Sequence, residues 1–568
     1  MTNGAGEAGG DRLKVLVLGG YGVFGGRLAE LLCEEPRLDL ILAGRSLARA
    51  EAFCARLAPG AGRRAAAVDR DGDVKAALET LKPDLVVDAS GPFQTYGQDP
   101  YRVIRACLDA GIDYLDLADG SDFVEGVAAF DAKARARRVS ILSGVSSFPV
   151  LTAAVVRRLA AGLDRVRAIS AGIAPSPFAG VGLNVIRAIA SYAGKPVAVI
   201  RDGRPAVGWG MLDGRRFTVA PPGATPLDHI LFSLVDTPDL KALPPLWKDL
   251  DSLWVGAGPV PEVLHRALNA LAWLVKMRLL PGLSGLAPLF HWAINRFRWG
   301  DHRGGMFVRV EGTRQGAPVE RSWHLLAEGR DGPYIPSMAV EALVRRRLAG
   351  GRPAPGARAS TGDLELEDYE ALFARRTIVT GVREVSAATV RLPLYRRALA
   401  GAWGRLPGPI RRLHDLTGPT AWAGRADVER GRGPAARIVA ALIGAPRAGM
   451  DVPVRVEFDL KEGMEVWRRR FGGRLFLSLQ AEGRGRYQHL IEERFGPLTV
   501  GLAPVVDGER LRLVVRRWTL FGIALPRFLM PRGEAFEAVE GGRFRFHVEI
   551  RSPLTGLIVR YRGWLEPA

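Results

Sequence analysis

Short apolar runs alternate with amphipathic stretches over the first 150 residues. Val15 to Leu18 reads as a buried strand, the residues on to Glu30 as a helix that follows at once, and Leu38 to Gly44 as a second strand at the distance a strand-helix-strand unit needs. Ala65 to Val68, Asp84 to Ala89, Asp113 to Leu117 and Val139 to Leu142 continue the strands, with Val74 to Leu81 and Pro100 to Ala110 as helices between them. This alternation predicts an α/β fold built on a doubly wound parallel sheet.

The last third of the chain has the strand period instead. Phe544, Phe546, Val548 and Ile550 fall on one face, with Arg543, Arg545, His547 and Glu549 on the other. Val452, Val454, Val456, Phe458 and Leu460 alternate in the same way, although Pro453 argues for an edge strand or a strand start. A β-rich domain is expected, a curved antiparallel sheet whose apolar face is covered by a helix over Leu525 to Met530. Such a sheet either buries its own core or encloses an apolar ligand.

Between these parts lies the most apolar long stretch, Val263 to Trp299. Its uncharged run, Leu279 to Asn295, is broken by Pro281 and Pro288 and falls short of the roughly 20 residues that span a bilayer. Two helices carrying Trp273, Trp292 and Trp299, with Arg266, Lys276, Arg278, Arg296 and Arg298 nearby, would suit a membrane interface. A helical hairpin lining a substrate tunnel or a dimer contact fits the pattern equally.

Gly20, Gly22 and Gly25 fall on the G-x-G-x-x-G spacing where the first strand meets its helix, the dinucleotide fingerprint of a Rossmann-type sheet. Gly20 is expected to make the tight turn, Gly22 to let backbone approach a pyrophosphate at the helix N-terminus, and Gly25 to let helix and strand pack closely. Gly44-Arg45-Ser46 follows the second strand where an NAD site usually places a carboxylate, so NADP (as NADPH) is favoured: Arg45 and Ser46 suit a 2′-phosphate. Asp69, after the third strand, stands where such folds bring a polar group towards the adenine.

GGYGVFGGRLAE, LILAGRS, VVDASGPFQTYG, DYLDLADG and SGVSSFPVLTAAVV, in that order, resemble the NADP-binding region of the saccharopine-dehydrogenase-like oxidoreductases over residues 13 to 160. The resemblance implies Gly20, Tyr21, Gly22, Val23 and Phe24 around the pyrophosphate, Arg45 and Ser46 at the 2′-phosphate, and Ala89, Ser90 and Gly91 near the nicotinamide ribose. GDHRGGMFVRVEG and EGRDGPYIPSMAVEAL resemble the substrate half of that family, implying an α+β second domain whose sheet forms a homodimer contact. GARASTGDLELEDY is expected to return as a helix beside the first domain. The remaining residues, among them DVPVRVEFDLKEGMEVWRRRFGG and FRFHVEIRSPLTGLIVRYRGWLEP, resemble a bacterial domain of unknown function found fused to such proteins.

Hydride chemistry belongs to the nicotinamide, so the chain must supply orientation, a pocket and a proton donor. The candidates are Tyr96, in the loop after the fourth strand, Asp119, after the fifth, and His302, in a glycine-bounded turn. A Ser-Tyr-x-x-x-Lys set is absent, since Tyr192 is followed by Ala193, Gly194 and Lys195, and the eight histidines show no metal-ligand spacing. Cys33, Cys54 and Cys107 suit neither a disulfide framework nor a zinc site and read as buried small hydrophobes in a reducing compartment.

The formal charge is +19, and residues 391–568 hold 31 Arg or Lys against 18 Asp or Glu, so +13 of the excess sits there. No recognised nucleic-acid-binding motif accompanies it; an anionic membrane surface, an acidic partner or simply an arginine-rich proteome accounts for it at least as well. The expected organisation is a flexible N-terminus over 1–12, an NADP-binding domain over 13–150, a substrate and dimerisation domain over 151–385 and a basic β-rich domain over 390–568. The chain reads as a cytoplasmic NADP-dependent oxidoreductase, at most peripheral to the inner membrane face, acting on a small or lipid-like carbonyl, imine or enoyl substrate. The alternative is a catalytically inactive NADP-binding sensor or scaffold.

Overall fold

The computed structural model describes residues 12–568. The expected flexible terminus falls almost wholly on residues 1–11, outside the described residues. The chain divides into two compact units: one runs to Arg215 and adds Leu231–Gly316 and Ala327–Ile378, and the other combines Arg216–Ile230, Ala317–Leu326 and Val379–Ala568.

The first unit opens with β1 (Leu13–Leu18), α1 (Val23–Leu32), β2 (Leu38–Gly44), α2 (Leu47–Cys54), β3 (Gly62–Ala67), α3 (Val74–Leu81) and β4 (Leu85–Asp88). It continues with α4 (Arg102–Ala110), β5 (Asp113–Asp116), α5 (Ser121–Gly126), α6 (Asp131–Arg137) and β6 (Ser140–Ser143). All strands are parallel, in the order β6-β5-β4-β1-β2-β3. Val15, Leu16 and Val17 are fully buried, as a strand covered on both faces must be. The order reverses between β1 and β4, and that switch point opens the crevice where ligands of such sheets lie. Cys33, Cys54 and Cys107 are buried free thiols.

Where a helix was expected, Gly356–Ala359 instead forms a seventh parallel strand beside β6, and Leu366–Phe373 is the helix. The strand is held by an ion-pair cluster just before it: Arg352 grips the buried carboxylate of Asp113 in β5 at 2.6 and 2.8 Å, and Arg347 reaches the same group. The rest of the unit is a mixed sheet in which Arg165–Ala174 pairs parallel with Ser252–Ala257 and antiparallel with Gly304–Arg314.

The second unit is an antiparallel β-barrel. Ten strands, Thr420–Arg430, Gly449–Lys461, Met464–Phe471, Arg474–Glu482, Ile491–Phe495, Leu498–Asp507, Arg510–Leu520, Ala535–Glu540, Arg543–Ser552 and Gly556–Pro567, close into a ring because the first pairs with both the second and the last. Pro453 therefore sits inside a strand paired on both sides. Its carbonyl accepts from the Gly472 amide at 2.9 Å, so the side that lacks an N–H faces the turn where the neighbouring strand has ended at Phe471. Leu525 to Met530 is no covering helix: only Arg527–Leu529 makes a helical turn, and Phe528 is 69% exposed. The apolar face is covered by closure of the barrel and by Tyr395 and Leu413 of the helices Leu394–Leu399 and Gly408–His414.

Candidate functional site

The glycines between β1 and the first turns of α1 sit where a side chain would collide with neighbouring backbone. Gly19 takes the left-handed φ of +72°, so it carries the turn expected of Gly20, and a Cβ there would lie 2.7 Å from the Ala89 carbonyl of the loop after β4. A Cβ on Gly20 would come within 2.9 Å of the Val17 carbonyl and 3.0 Å of Leu42 in β2, and one on Gly25 would collide with the Gly19 carbonyl. Gly22 caps α1 with extended backbone and no side chain to cover the first-turn amides. Those amides, the helix dipole and the glycine cradle fit the pyrophosphate of a dinucleotide. Val23 is 44% exposed beside them, Phe24 gives its carbonyl to Ser337, and Gly182 approaches Val23 closely.

Tyr21 links this loop to β2. Its ring fills the space over Gly44, its hydroxyl accepts from the Ser46 amide at 3.0 Å, and the Arg49 guanidinium lies 4.8 Å from its ring centre. Ser46 caps α2 by accepting from the Arg49 amide at 3.4 Å, and Arg45 is exposed at the same corner. Asp69 is also exposed, one residue beyond Val68, whose amide donates to the Gly44 carbonyl. Arg45, Ser46 and Asp69 thus gather at one end of the crevice.

At the other end stand Ala89, Ser90 and Gly91. Ser90 is fixed by Asp88, which accepts from its amide at 2.9 Å and its hydroxyl at 2.5 Å, and Gly91 accepts from the Asn184 side chain at 2.8 Å. Tyr96 is buried with its hydroxyl 2.9 Å from Ser90 Oγ and 3.4 Å from Asp88, while Arg70 stacks 3.4 Å from its ring centre. Burial pushes both the Tyr96 phenol and the Asp88 carboxyl up. A phenol held this way donates a hydrogen bond and does not serve as a phenolate base.

Tyr96 also lines a cavity of about 670 Å³ with an aromatic side, Phe93, Tyr96 and Tyr101, and a polar side, Gln94, Asp122 and Asp236. Burial pushes the Asp236 carboxyl up, and Lys241 holds Asp122 at 2.6 Å from outside the wall. Asp119 accepts from the Gln94 side chain at 3.0 Å but does not itself line the cavity, whereas Tyr96 does. His302 is elsewhere: it is exposed, 3.9 Å from Asp301 and 4.0 Å from Glu328, and does not line the cavity. Sequence reasoning missed Asp116, fully buried at the end of β5, which accepts from the Ala118 and Gly144 amides and the Ser143 hydroxyl and is pushed up to about 7 by burial. It also missed Asp236, which follows an apolar run that carries no motif.

The apolar stretch forms the helices Glu262–Lys276 and Ala287–Arg296, on which Trp273 and Trp292 are half exposed; neither lines the cavity. Among the described residues no helix is long and apolar enough to cross a membrane.

Comparison with known proteins agrees with this geometry in two places. Residues 15–142 match the model of the saccharopine dehydrogenase NADP binding domain, and residues 406–565 match a domain of unknown function, DUF4166. No curated protein matches the chain. Among solved structures, the apo saccharopine dehydrogenase (L-Glu forming) of Saccharomyces cerevisiae is similar at 12% identity, covering 66% of this chain and 100% of that one, with a TM-score of 0.48. GenD2 from gentamicin A biosynthesis, solved in complex with NAD, is similar at 15% identity, covering 68% of this chain and 99% of that one, with a TM-score of 0.31. The chain therefore carries a saccharopine dehydrogenase NADP-binding domain at its N-terminal end and a DUF4166 domain at its C-terminal end.

Proposed function

We propose that the protein is an NADP-dependent oxidoreductase that moves hydride to or from a small or lipid-like carbonyl, imine or enoyl substrate. The observation that carries the reading is the uncapped N-terminus of α1 under a glycine cradle, with Arg45 exposed at the end of β2 where a ribose carboxylate partner would otherwise stand. Gly20 to Gly25 would hold the pyrophosphate, Arg45 and Ser46 the 2′-phosphate, Asp69 the adenine side, and Ala89 to Gly91 the nicotinamide ribose. The nucleotide would supply or accept the hydride; the chain supplies orientation and a pocket.

The cavity wall narrows the substrate. It has Asp122 and Asp236 among its lining and neither Arg nor Lys, so no cation of the wall would pair with the charges of a dicarboxylate. A neutral or cationic group beside an aromatic wall fits better, which favours a carbonyl or imine held near Gln94 and Tyr96. A second reading, an inactive NADP sensor or scaffold acting at a membrane surface or on a partner, draws support from Tyr96, whose hydroxyl is engaged with Ser90 and Asp88.

Titration with NADPH and NADH, followed by tryptophan quenching in wild type and Arg45→Ala, tests the cofactor. The reading expects tight NADPH binding, weak NADH binding and about a tenfold loss of NADPH affinity in the variant. Failure of both nucleotides to bind removes the oxidoreductase reading. Consumption of NADPH with aldehyde, imine or enoyl acceptors separates enzyme from sensor.

A further inference from the structure

The barrel of the second unit is not filled. Inside it lies a cavity of about 390 Å³, bounded by Val456, Phe471, Phe495, Val515, Phe546 and Val548 among others. This volume is within the range of about 300–1,000 Å³ that small-molecule sites occupy. A closed sheet of eight strands is just wide enough for its own side chains, and ten strands enclose more than these residues fill. The exposed wall atoms forfeit their packing partners, a loss that an apolar occupant would restore.

The interior charged groups of the wall and Gln480 already have partners. Arg469 lies 3.2 Å from Glu493 and donates to Ser478 at 2.8 Å, while Ser478 donates to Glu493 at 2.7 Å. Gln480 accepts from Tyr395 at 3.0 Å, Glu537 is 2.7 Å from His414, and Glu549 accepts from Arg560 at 2.7 Å. An anionic guest would find no interior cation left to neutralise it. Arg532 reaches the lining only from an exposed position, where water weakens any ion pair.

The ring also has a seam. Arg510–Leu520 pairs with Ala535–Glu540 only at Leu511 with Glu537 and Arg512 with Phe536, whereas its other edge pairs along its length with Leu498–Asp507. Beyond Arg512 the segment 521–531 spans the gap. Leu529 and Pro531 of this segment face the cavity, while Phe521, Ile523 and Phe528 are 77%, 70% and 69% exposed. An apolar lip thus continues into an apolar interior.

We propose that the barrel is a binding chamber for one neutral, lipid-like molecule of the size of a long-chain alcohol, entered through the seam at residues 513–535.

The test uses the full chain and the fluorescent probe N-phenyl-1-naphthylamine, with hexadecanol and palmitate as competitors. One probe per chain should bind, hexadecanol should displace it, and palmitate should do so about tenfold less well. Val548→Trp, which fills the chamber, and Leu529→Asp, which puts a charge at the seam, should each weaken the probe about tenfold while far-UV circular dichroism stays that of wild type. The two variants perturb different places, so misfolding of one leaves the other to decide. No probe binding, or binding untouched by a folded variant, overturns the chamber; equal displacement by palmitate overturns the preference for a neutral guest.

Discussion

The phenol oxygen of Tyr21 accepts a hydrogen bond from the Ser46 amide at 3.0 Å, fastening the glycine-rich loop after β1 to the corner that carries Arg45. The ring can lie there because Gly44 has no side chain: a Cβ would come 2.6 Å from it. The glycine-rich loop and the Arg45 corner are therefore one piece of structure. Tyr21→Phe removes the bond and keeps the ring, so NADPH affinity should fall about fivefold, the effect of one hydrogen bond of about 1 kcal/mol. Gly44→Ala should do more, since the ring itself must leave. Titration of both variants with NADPH and NADH checks this, and equal losses for the two nucleotides would disconnect Tyr21 from the phosphate corner.

Gly25 tests the cradle from below. A methyl group there meets the Gly19 carbonyl, so Gly25→Ala should lower stability by about 1–3 kcal/mol, the range of overpacking, and abolish dinucleotide binding. Gly282→Ala, where an added Cβ has nothing within 4 Å, should change neither. Urea unfolding and nucleotide titration of the pair measure both effects.

The parallel sheet was legible because β1, β2 and β4 are largely apolar runs bounded by breakers, and strands buried on both faces must read that way. Gly356–Ala359 was not, because its residues, Gly, Ala, Arg and Ala, have no apolar pattern; the strand is placed by Asp113 holding Arg347 and Arg352 some 240 residues away in sequence. The alternation of Phe544 to Ile550 foretold a strand with one apolar face, and all four residues line the barrel cavity. Closure was hidden, since it depends on Thr420–Arg430 pairing with Gly556–Pro567, a long-range register that periodicity does not encode. In the crevice, Gly20, Gly22, Gly25 and Arg45 carry local signatures, whereas Asp116 and Asp236 owe their character to burial by distant residues.

Asp228 is the anchor of a charge cluster in the second unit. Its carboxylate, 1% exposed, meets Arg516 at 3.1 Å, Arg517 at 2.7 Å and Arg527 at 3.1 Å. Asp228→Ala leaves three guanidinium groups together without their anion and should cost about 3–5 kcal/mol. Asp228→Asn, which keeps the shape, should cost nearly as much, because charge and not volume is what the arginines meet. A urea midpoint within error of wild type for the Asn variant would show that water already screens the cluster.

Asp116 gives the first unit a pH dependence whose sign follows from its shift. Burial raises the carboxyl from 3.8 to about 7, although the Gly144 and Ala118 amides and the Ser143 hydroxyl oppose it, and Asp88 nearby adds to the rise. Between those values the folded chain keeps a proton that the unfolded chain has lost, so this group's contribution is full below about pH 4, declines as pH rises and is gone above about pH 7. At about 1.4 kcal/mol per unit the decline amounts to about 4 kcal/mol. Asp116→Asn is neutral at every pH and retains an oxygen for the same three donors. Its stability relative to wild type should therefore climb by about that amount between pH 4 and 8, as read from urea unfolding at a series of pH values. Parallel profiles for the two proteins would mean that Asp116 ionises normally inside the fold, and the floor of the crevice would then carry a full negative charge beside Asp88 at neutral pH.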